Sequence, residues 1–288
     1  MDVKKLILAY GNAGADEGVF EGAKMLLDKF KLNNYNLLEP IILKKETVNN
    51  LKNVNEVIEN ITLAASEVDK VILDGEFPLF IGGDHSLSLG TVSAASKHYD
   101  NLGVIWFDAH GDMNTNETSP SGNIHGMILA ALQGEGDKVL TELYYKGVKI
   151  KTENVLLFGV RDLDLEEEKL IKKLGIKVLT YDHINEIGLS NALSEVKQFY
   201  LNKTNKIHLS FDLDVVNPSL LPGVSVPVEK GFNLIEAKEV IKCLFSSFEI
   251  NSMDIVEYNP VYDKQEITLN YLYEVIELVE QLVKKGNI

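Results

Sequence analysis

The sequence predicts an α/β protein, one parallel sheet with helices on both faces. Short runs rich in Val, Ile, Leu and Phe alternate with longer stretches of helical periodicity. Several short runs are apolar almost throughout, as strands are when both faces of a parallel sheet are covered. The expected strands are residues 4–9, 77–81, 103–107, 154–160, 177–180, 206–211 and 252–257. The expected helices are 54–73, 87–98, 166–174, 191–200, 234–245 and 265–284. In the first of these, Val57, Ile58, Ile61, Ala64, Ala65, Val68 and Ile72 recur at near-helical spacing. The opening residues 1–9 hold an apolar run too short for a signal peptide and read as the first strand. With no fixed-period repeat, low-complexity segment or linker to divide it, the 288-residue chain is expected to form a single domain, 1–288.

Composition narrows the partners. The hydrophobic fraction of 45% and charged fraction of 25% are those of a folded soluble protein. No stretch approaches the roughly 20 apolar residues that span a bilayer. A formal net charge of −15 disfavours nucleic acid and anionic membranes, and would welcome a cationic substrate. Plain solubility is the simpler account of that charge. The one cysteine, Cys243, leaves no internal disulfide and fits a reducing cytoplasm; its apolar helical surroundings suggest core packing.

Two acidic clusters dominate the chemistry. Asp108-Ala109-His110-Gly111-Asp112 follows one expected strand, and Asp212-Leu213-Asp214 follows another. Alternate residues of a strand face the same way, so each cluster aims its ligands at one spot. Gathered carboxylates repel and are costly to desolvate unless a cation joins them. Either cluster alone could be a turn or a cap. Together, with His85 of Gly82-Gly83-Asp84-His85-Ser86 after a third strand, they form a set of four carboxylates and two imidazoles. The expected ligands of two divalent metals are His85, Asp108, His110, Asp112, Asp212 and Asp214. Oxygen-rich sites without thiolate suit manganese, with zinc, cobalt and iron as alternatives. Two metals about 3.5–4 Å apart lower the pKa of a shared water, which points to hydrolysis. Asp84 is expected to cap the helix near Ser86, with orientation of an imidazole as the alternative. Two long non-periodic segments, 111–126 and 215–231, leave the carboxyl ends of strands, where open α/β sheets place their ligands.

These motifs resemble those of the ureohydrolase family of arginases, agmatinases and formimidoylglutamases. The three metal motifs match, Gly14-Ala15-Asp16-Glu17-Gly18-Val19 resembles the family's first glycine-rich loop, and Glu257-Tyr258-Asn259-Pro260 resembles its Glu-x-Asn-Pro element. The resemblance implies a three-layer α/β/α fold with a mostly parallel central sheet, two Mn²⁺ per subunit and a homo-oligomer, trimer or hexamer. The segment from Asn114 through Ser121-Gly122-Asn123-Ile124-His125-Gly126 is the arginase arrangement. It implies that Asn114, Ser121 and Asn123 bind a substrate α-carboxylate, and that Asp164 and Glu167 sit at its α-amino group. Loop-turn chemistry for the first three, and helix capping for Asp162 and Asp164, are the plainer alternatives. His125 is implied as proton shuttle. Glu257, also placed to close its turn, would hold a guanidinium. Asp112 would take a proton as well as ligate. Arg161, the only arginine, is expected to be a structural ion-pair partner, and His98, His183 and His208 are given no role.

The implied activity is hydrolysis of L-arginine to L-ornithine and urea. One departure bears on substrate: Ser225-Val226 stands where arginases have Gly-Thr, closer to formimidoylglutamases. Formimidoylglutamase is therefore the first alternative, agmatinase or another guanidino-acid hydrolase the second, and a metal-binding protein without turnover the third. A metallophosphatase is disfavoured, because the Gly-Asn-His-Asp/Glu signature is missing.

Overall fold

The computed structural model describes residues 1–14 and 16–286, with the side chain of Glu17 left aside. Ala15 of the expected glycine-rich loop lies outside the described residues. In chain order the elements are β1 (Val3–Leu8), α1 (Gly22–Lys29), β2 (Tyr35–Leu38), β3 (Thr47–Val48), β4 (Leu51–Lys52), α2 (Val54–Leu73), β5 (Phe77–Ile81) and α3 (Ser88–His98). Then follow β6 (Gly103–Phe107), α4 (Ile128–Leu132), α5 (Lys138–Thr141), β7 (Val155–Phe158), α6 (Leu165–Leu174), β8 (Lys177–Leu179) and α7 (Tyr181–Ile187). The last are α8 (Leu189–Tyr200), β9 (Lys206–Asp212), α9 (Leu234–Ser247), β10 (Glu249–Val256) and α10 (Ile267–Lys285).

Eight strands form the central sheet in the order β2-β1-β5-β10-β9-β6-β7-β8, every pairing parallel. The period of two divides its side chains between two cores. Ile7, Leu79, Ile105, Phe107, Leu209 and Phe211 pack with Val196, Val240 and Val275 of α8, α9 and α10. Leu6, Leu8, Phe80, Val104 and Trp106 pack on the other face with Val57 and Ile61 of α2 and Val92 of α3. This is the expected α/β/α layering.

Every expected strand and helix is present; Val54–Leu73, Phe77–Ile81 and Gly103–Phe107 keep the expected ends and the others shift by one to three residues. The elements without a sequence expectation are short or half exposed. Edge strand β2 buries only Leu38, so it shows no apolar run. Helices α1, α4, α5 and α7 are at most eight residues long. His183, given no role from sequence, lies in α7. The antiparallel hairpin β3–β4 turns at Asn49 and Asn50, whose φ of 49° and 59° are those of a tight hairpin turn favouring Asn. The Nδ2 of Asn50 donates to the carbonyls of Asn116 and Ser119, both at 2.9 Å, and the Lys52 amide donates to the Gly122 carbonyl at 3.0 Å. The hairpin thereby fastens the loop that follows β6.

Candidate active site

Strands β5, β10, β9 and β6 are neighbours, so chain segments far apart in sequence end at one place. After β5 the chain turns through Gly82 and Gly83, at φ 90° and 77°. A Cβ on Gly83 would stand 2.2 Å from a Leu87 methyl, so the turn requires glycine. Asp84 then caps as expected, accepting from the Ser86 amide at 3.1 Å, and it also accepts from the Ala13 amide at 2.9 Å. This sets His85 over the sheet edge. At the ends of β6 and β9 the aspartates fold onto their own chain: Asp108 accepts from the His110 amide at 2.7 Å and Asp212 from the Asp214 amide at 2.8 Å. Asp214 crosses to accept from the Ala109 amide at 3.2 Å, joining the two clusters. Asp112 and Glu257 hold left-handed φ of 50° and 67°. Non-glycine residues adopt these at a cost of order 1 kcal/mol, typically where a site demands a particular aim.

The six expected ligands converge. His85 Nδ1 lies 3.0 Å from Asp108 Oδ2 and 3.1 Å from Oδ2 of both Asp112 and Asp212. His110 Nδ1 lies 2.9 Å from Asp214 Oδ2 and 3.6 Å from Asp108 Oδ1. Two groups could each hold an ion: His85, Asp108 and Asp212, and Asp108, His110 and Asp214. They share Asp108, as a bridge between two cations would, and Asp112 stands beside the first. The buried atoms His85 Nδ1, Asp108 Oδ2 and Asp112 Oδ2 make no hydrogen bond. Orphaned lone pairs of imidazole and carboxylate facing one point fit a pair of divalent ions. Burial pushes Asp212 well above the carboxylate range, with Asp214 and Asp108 adding to it, and pushes Asp214 up to about 6. Burial would depress His85, but the surrounding carboxylates of Asp108, Asp112 and Asp212 raise it well above its ordinary value. Cations entering this cage would displace protons.

A buried relay sets the tautomer of His85. Ser210 Oγ donates to Asp254 Oδ1 at 2.6 Å, so its lone pairs accept from His85 Nε2 at 2.8 Å, and Nδ1, facing the carboxylates, is the nitrogen that would give up its proton to a cation. His208, given no role from sequence, faces the other Asp254 oxygen at 2.9 Å. Burial opposes the charge on Asp254, yet His208 holds its pKa down to about 2. A depressed carboxylate stabilises the fold above its unfolded pKa and loses that effect as pH falls through the folded value. Asp254→Asn should therefore lower stability at pH 7 by at least about 2 kcal/mol, with the gap to wild type closing between pH 4 and 2. Urea unfolding of the metal-free protein across that range measures it. The ring of Trp106, the chain's only tryptophan, stacks on His85 with centroids 4.1 Å apart and planes within 6°.

Beside this cage opens a cavity of about 300 Å³ that brings in the remaining expected residues. His125 Nδ1 lies 3.1 Å from Glu257 Oε1, which also accepts from the His85 amide at 2.9 Å. Burial would depress His125, but Glu257 lifts it to about 9, and His125 in turn holds Glu257 below the usual carboxylate range against its burial. Asn114 donates to Asp164 Oδ2 at 2.7 Å. Asp164 and Glu167 form a reciprocal capping box at the start of α6, so for Asp164 the capping alternative holds. The other Glu167 oxygen accepts from the Met113 amide at 3.0 Å, and burial raises this carboxyl to about 7. Asp162 caps nothing and stands exposed on the cavity rim, 3.9 Å from His110. Ser121 and Asn123 line the outer wall, Ser121 Oγ accepting from the Asn123 amide at 3.1 Å.

Arg161 departs from expectation. Rather than pairing with a carboxylate side chain, its guanidinium donates to the carbonyls of Asp214, Val215, Val228 and Glu229, tying the loop after β9. Sequence reasoning passed over Ser119, which lines the cavity and accepts from the Gly122 amide at 3.0 Å. Its only signal was its place two residues before Ser121. In the departing element, Ser225 Oγ accepts from Asn259 at 3.0 Å while Val226 lines the cavity. Gly18 of the early loop packs against Asn259, where a Cβ would come within 2.4 Å of its Oδ1.

Fold and site together describe a hydrolase-type arrangement: strand-end carboxylates and imidazoles beside a small polar cavity. The sequence model of the Arginase family matches residues 13–279. The arginase of Bacillus subtilis (strain 168) is 44% identical over 251 residues, covering 86% of this chain and 83% of that protein. The solved arginase of Bacillus caldovelox superposes with a TM-score of 0.87 at 36% identity, over 98% of both chains. The Entamoeba histolytica arginase, solved in complex with L-ornithine, gives 0.83 at 30% identity, again over 98% of both. The chain belongs to the arginase family, and is a hydrolase of linear amidine C–N bonds.

Proposed function

We propose that the protein hydrolyses L-arginine to L-ornithine and urea with two Mn²⁺ held by His85, Asp108, His110, Asp112, Asp212 and Asp214. The observation that carries this is one cavity joining the acidic cage to Asn114, Ser121 and Asn123, donors suited to an amino acid's carboxylate. The bound ions would supply Lewis acidity and an activated water. Glu257, buried and anionic, pairs with the substrate guanidinium and orients its carbon. Asp112 takes the proton given up by the attacking water. His125, protonated against Glu257, hands a proton to the departing ornithine amine and regains it from solvent through the cavity mouth. Asn114, Ser121 and Asn123 bind the α-carboxylate, and Asp164 and Glu167 hold the wall at the α-amino end. That the Entamoeba histolytica relative was solved in complex with L-ornithine supports ornithine as the product. As a cytoplasmic enzyme it would work as a trimer or hexamer, which sedimentation velocity tests.

Val226 at the cavity wall supports the second reading, formimidoylglutamase, because it removes a hydroxyl from the substrate's surroundings. A panel at alkaline pH on manganese-loaded protein separates the readings. Ornithine and urea should form from L-arginine, with little putrescine from agmatine and no glutamate from formimidoylglutamate. No turnover of arginine beside rapid release of glutamate would overturn the proposal.

A further inference from the structure

An amino-acid substrate must carry a negative carboxylate into this cavity. Among the described residues, seven carboxylate side chains and no lysine or arginine line it. Lys52 stands just beyond that lining, at the end of the hairpin. Its Nζ donates to Asn123 Oδ1 at 3.0 Å, and its own amide is bonded to Gly122 at 3.0 Å. The hairpin and the loop approach too closely to slide: a Cβ on Gly122 would stand 2.8 Å from Asn50 Oδ1. The backbone thus fixes where the exposed Lys52 side chain begins.

An ammonium only donates, so the bond decides which way the Asn123 amide points. Its oxygen is held by Lys52, and its Nδ2 donors are left for the cavity that Asn123 lines. Turned over, the amide would set its oxygen against the carboxylate. We infer that Lys52 is a specificity-determining positioning residue: it orients Asn123 as a donor and places positive charge beside the substrate α-carboxylate. It selects amino acids over analogues of the same length without that charge. The assignment rests on the proposed role of Asn123.

The test compares Lys52→Met and Lys52→Arg with wild type, all manganese-loaded, on L-arginine and on L-argininamide, which keeps the guanidinium and α-amine but loses the carboxylate charge. Lys52→Met should raise KM for arginine about tenfold with kcat within about twofold, and leave argininamide unaffected. Lys52→Arg should restore most of the loss. Rising salt should narrow the difference, because the charge is exposed. In an Asn123→Ala background the Lys52→Met effect should shrink, showing that the two act as a unit. Equal effects on both substrates, or none, overturn the inference. Should wild type turn over neither compound, the arginase reading fails, and calorimetric binding of L-ornithine against putrescine decides the role of Lys52. Selective loss of ornithine binding in Lys52→Met sustains it; parallel changes, or no binding to wild type, sink it.

Discussion

Asp212→Asn should abolish turnover, by a factor of about 10³ or more, while leaving the metal-free protein as stable as wild type or more so. The two effects have one cause. Asp212 is packed against His85 with Asp108 and Asp112 equally close, and burial drives its pKa well above the ordinary 3.8, with the charges of Asp214 and Asp108 adding to it. A carboxyl whose folded pKa is raised costs stability as pH rises through that interval, because the unfolded chain gives up its proton first. The amide removes that cost in the metal-free state and removes an anionic oxygen that a divalent ion needs. Calorimetric titration with Mn²⁺, together with urea unfolding of chelator-treated protein at pH 5 and 8, tests both halves. Wild-type affinity for two Mn²⁺ in the variant would contradict the assignment of Asp212. A large loss of stability would mean that its role in the metal-free protein is to hold the fold.

Glu257→Gln should lower kcat/KM for arginine by about 10³, roughly 4 kcal/mol, with both metals still bound. The side chain shares one oxygen between the His85 amide and His125. Glutamine can retain both of these bonds through its carbonyl oxygen, so the chief loss is the charge opposite the guanidinium. Losing that charge should also lower the pKa of His125 from about 9 toward its ordinary value, since Glu257 is what overcomes its burial. The remaining activity would then fall at a lower pH on the alkaline side than in wild type, provided protonated His125 is required. Full activity in this variant would remove Glu257 from the mechanism.

The layered fold and the convergence of its acidic motifs were legible because their signals are local. Apolar runs such as Phe77–Ile81 and Gly103–Phe107 mark buried strands, and Asp-x-His and Asp-x-Asp at their ends mark ligands. Strand order was not legible. That β10 inserts between β5 and β9, bringing Glu257 to His85, depends on pairing across 172 positions, with no counterpart in any local pattern. The same limit hid the relay from Asp254 through Ser210 to His85, because Ser210 and Asp254 lie in different strands and separately look like ordinary strand residues. Arg161 shows a further gap: carbonyl acceptors carry no side-chain identity, so a guanidinium bound to four of them looks, in sequence, like one awaiting a carboxylate. The hairpin at Asn49-Asn50 had no sequence expectation, because its two-residue strands show no apolar run, and its hold on the neighbouring loop came only from contact.

The indole stacked on His85 gives the molecule a built-in optical gauge. With a single tryptophan in the chain, all indole emission comes from one ring lying flat on an imidazole of the metal cage. Protonating that imidazole, or replacing its proton with a paramagnetic ion, alters the electronic surroundings of the fluorophore at van der Waals range. Filling of the nearer position should therefore be visible in unlabelled protein, in real time and without any turnover assay, as a change in Trp106 emission that chelation reverses.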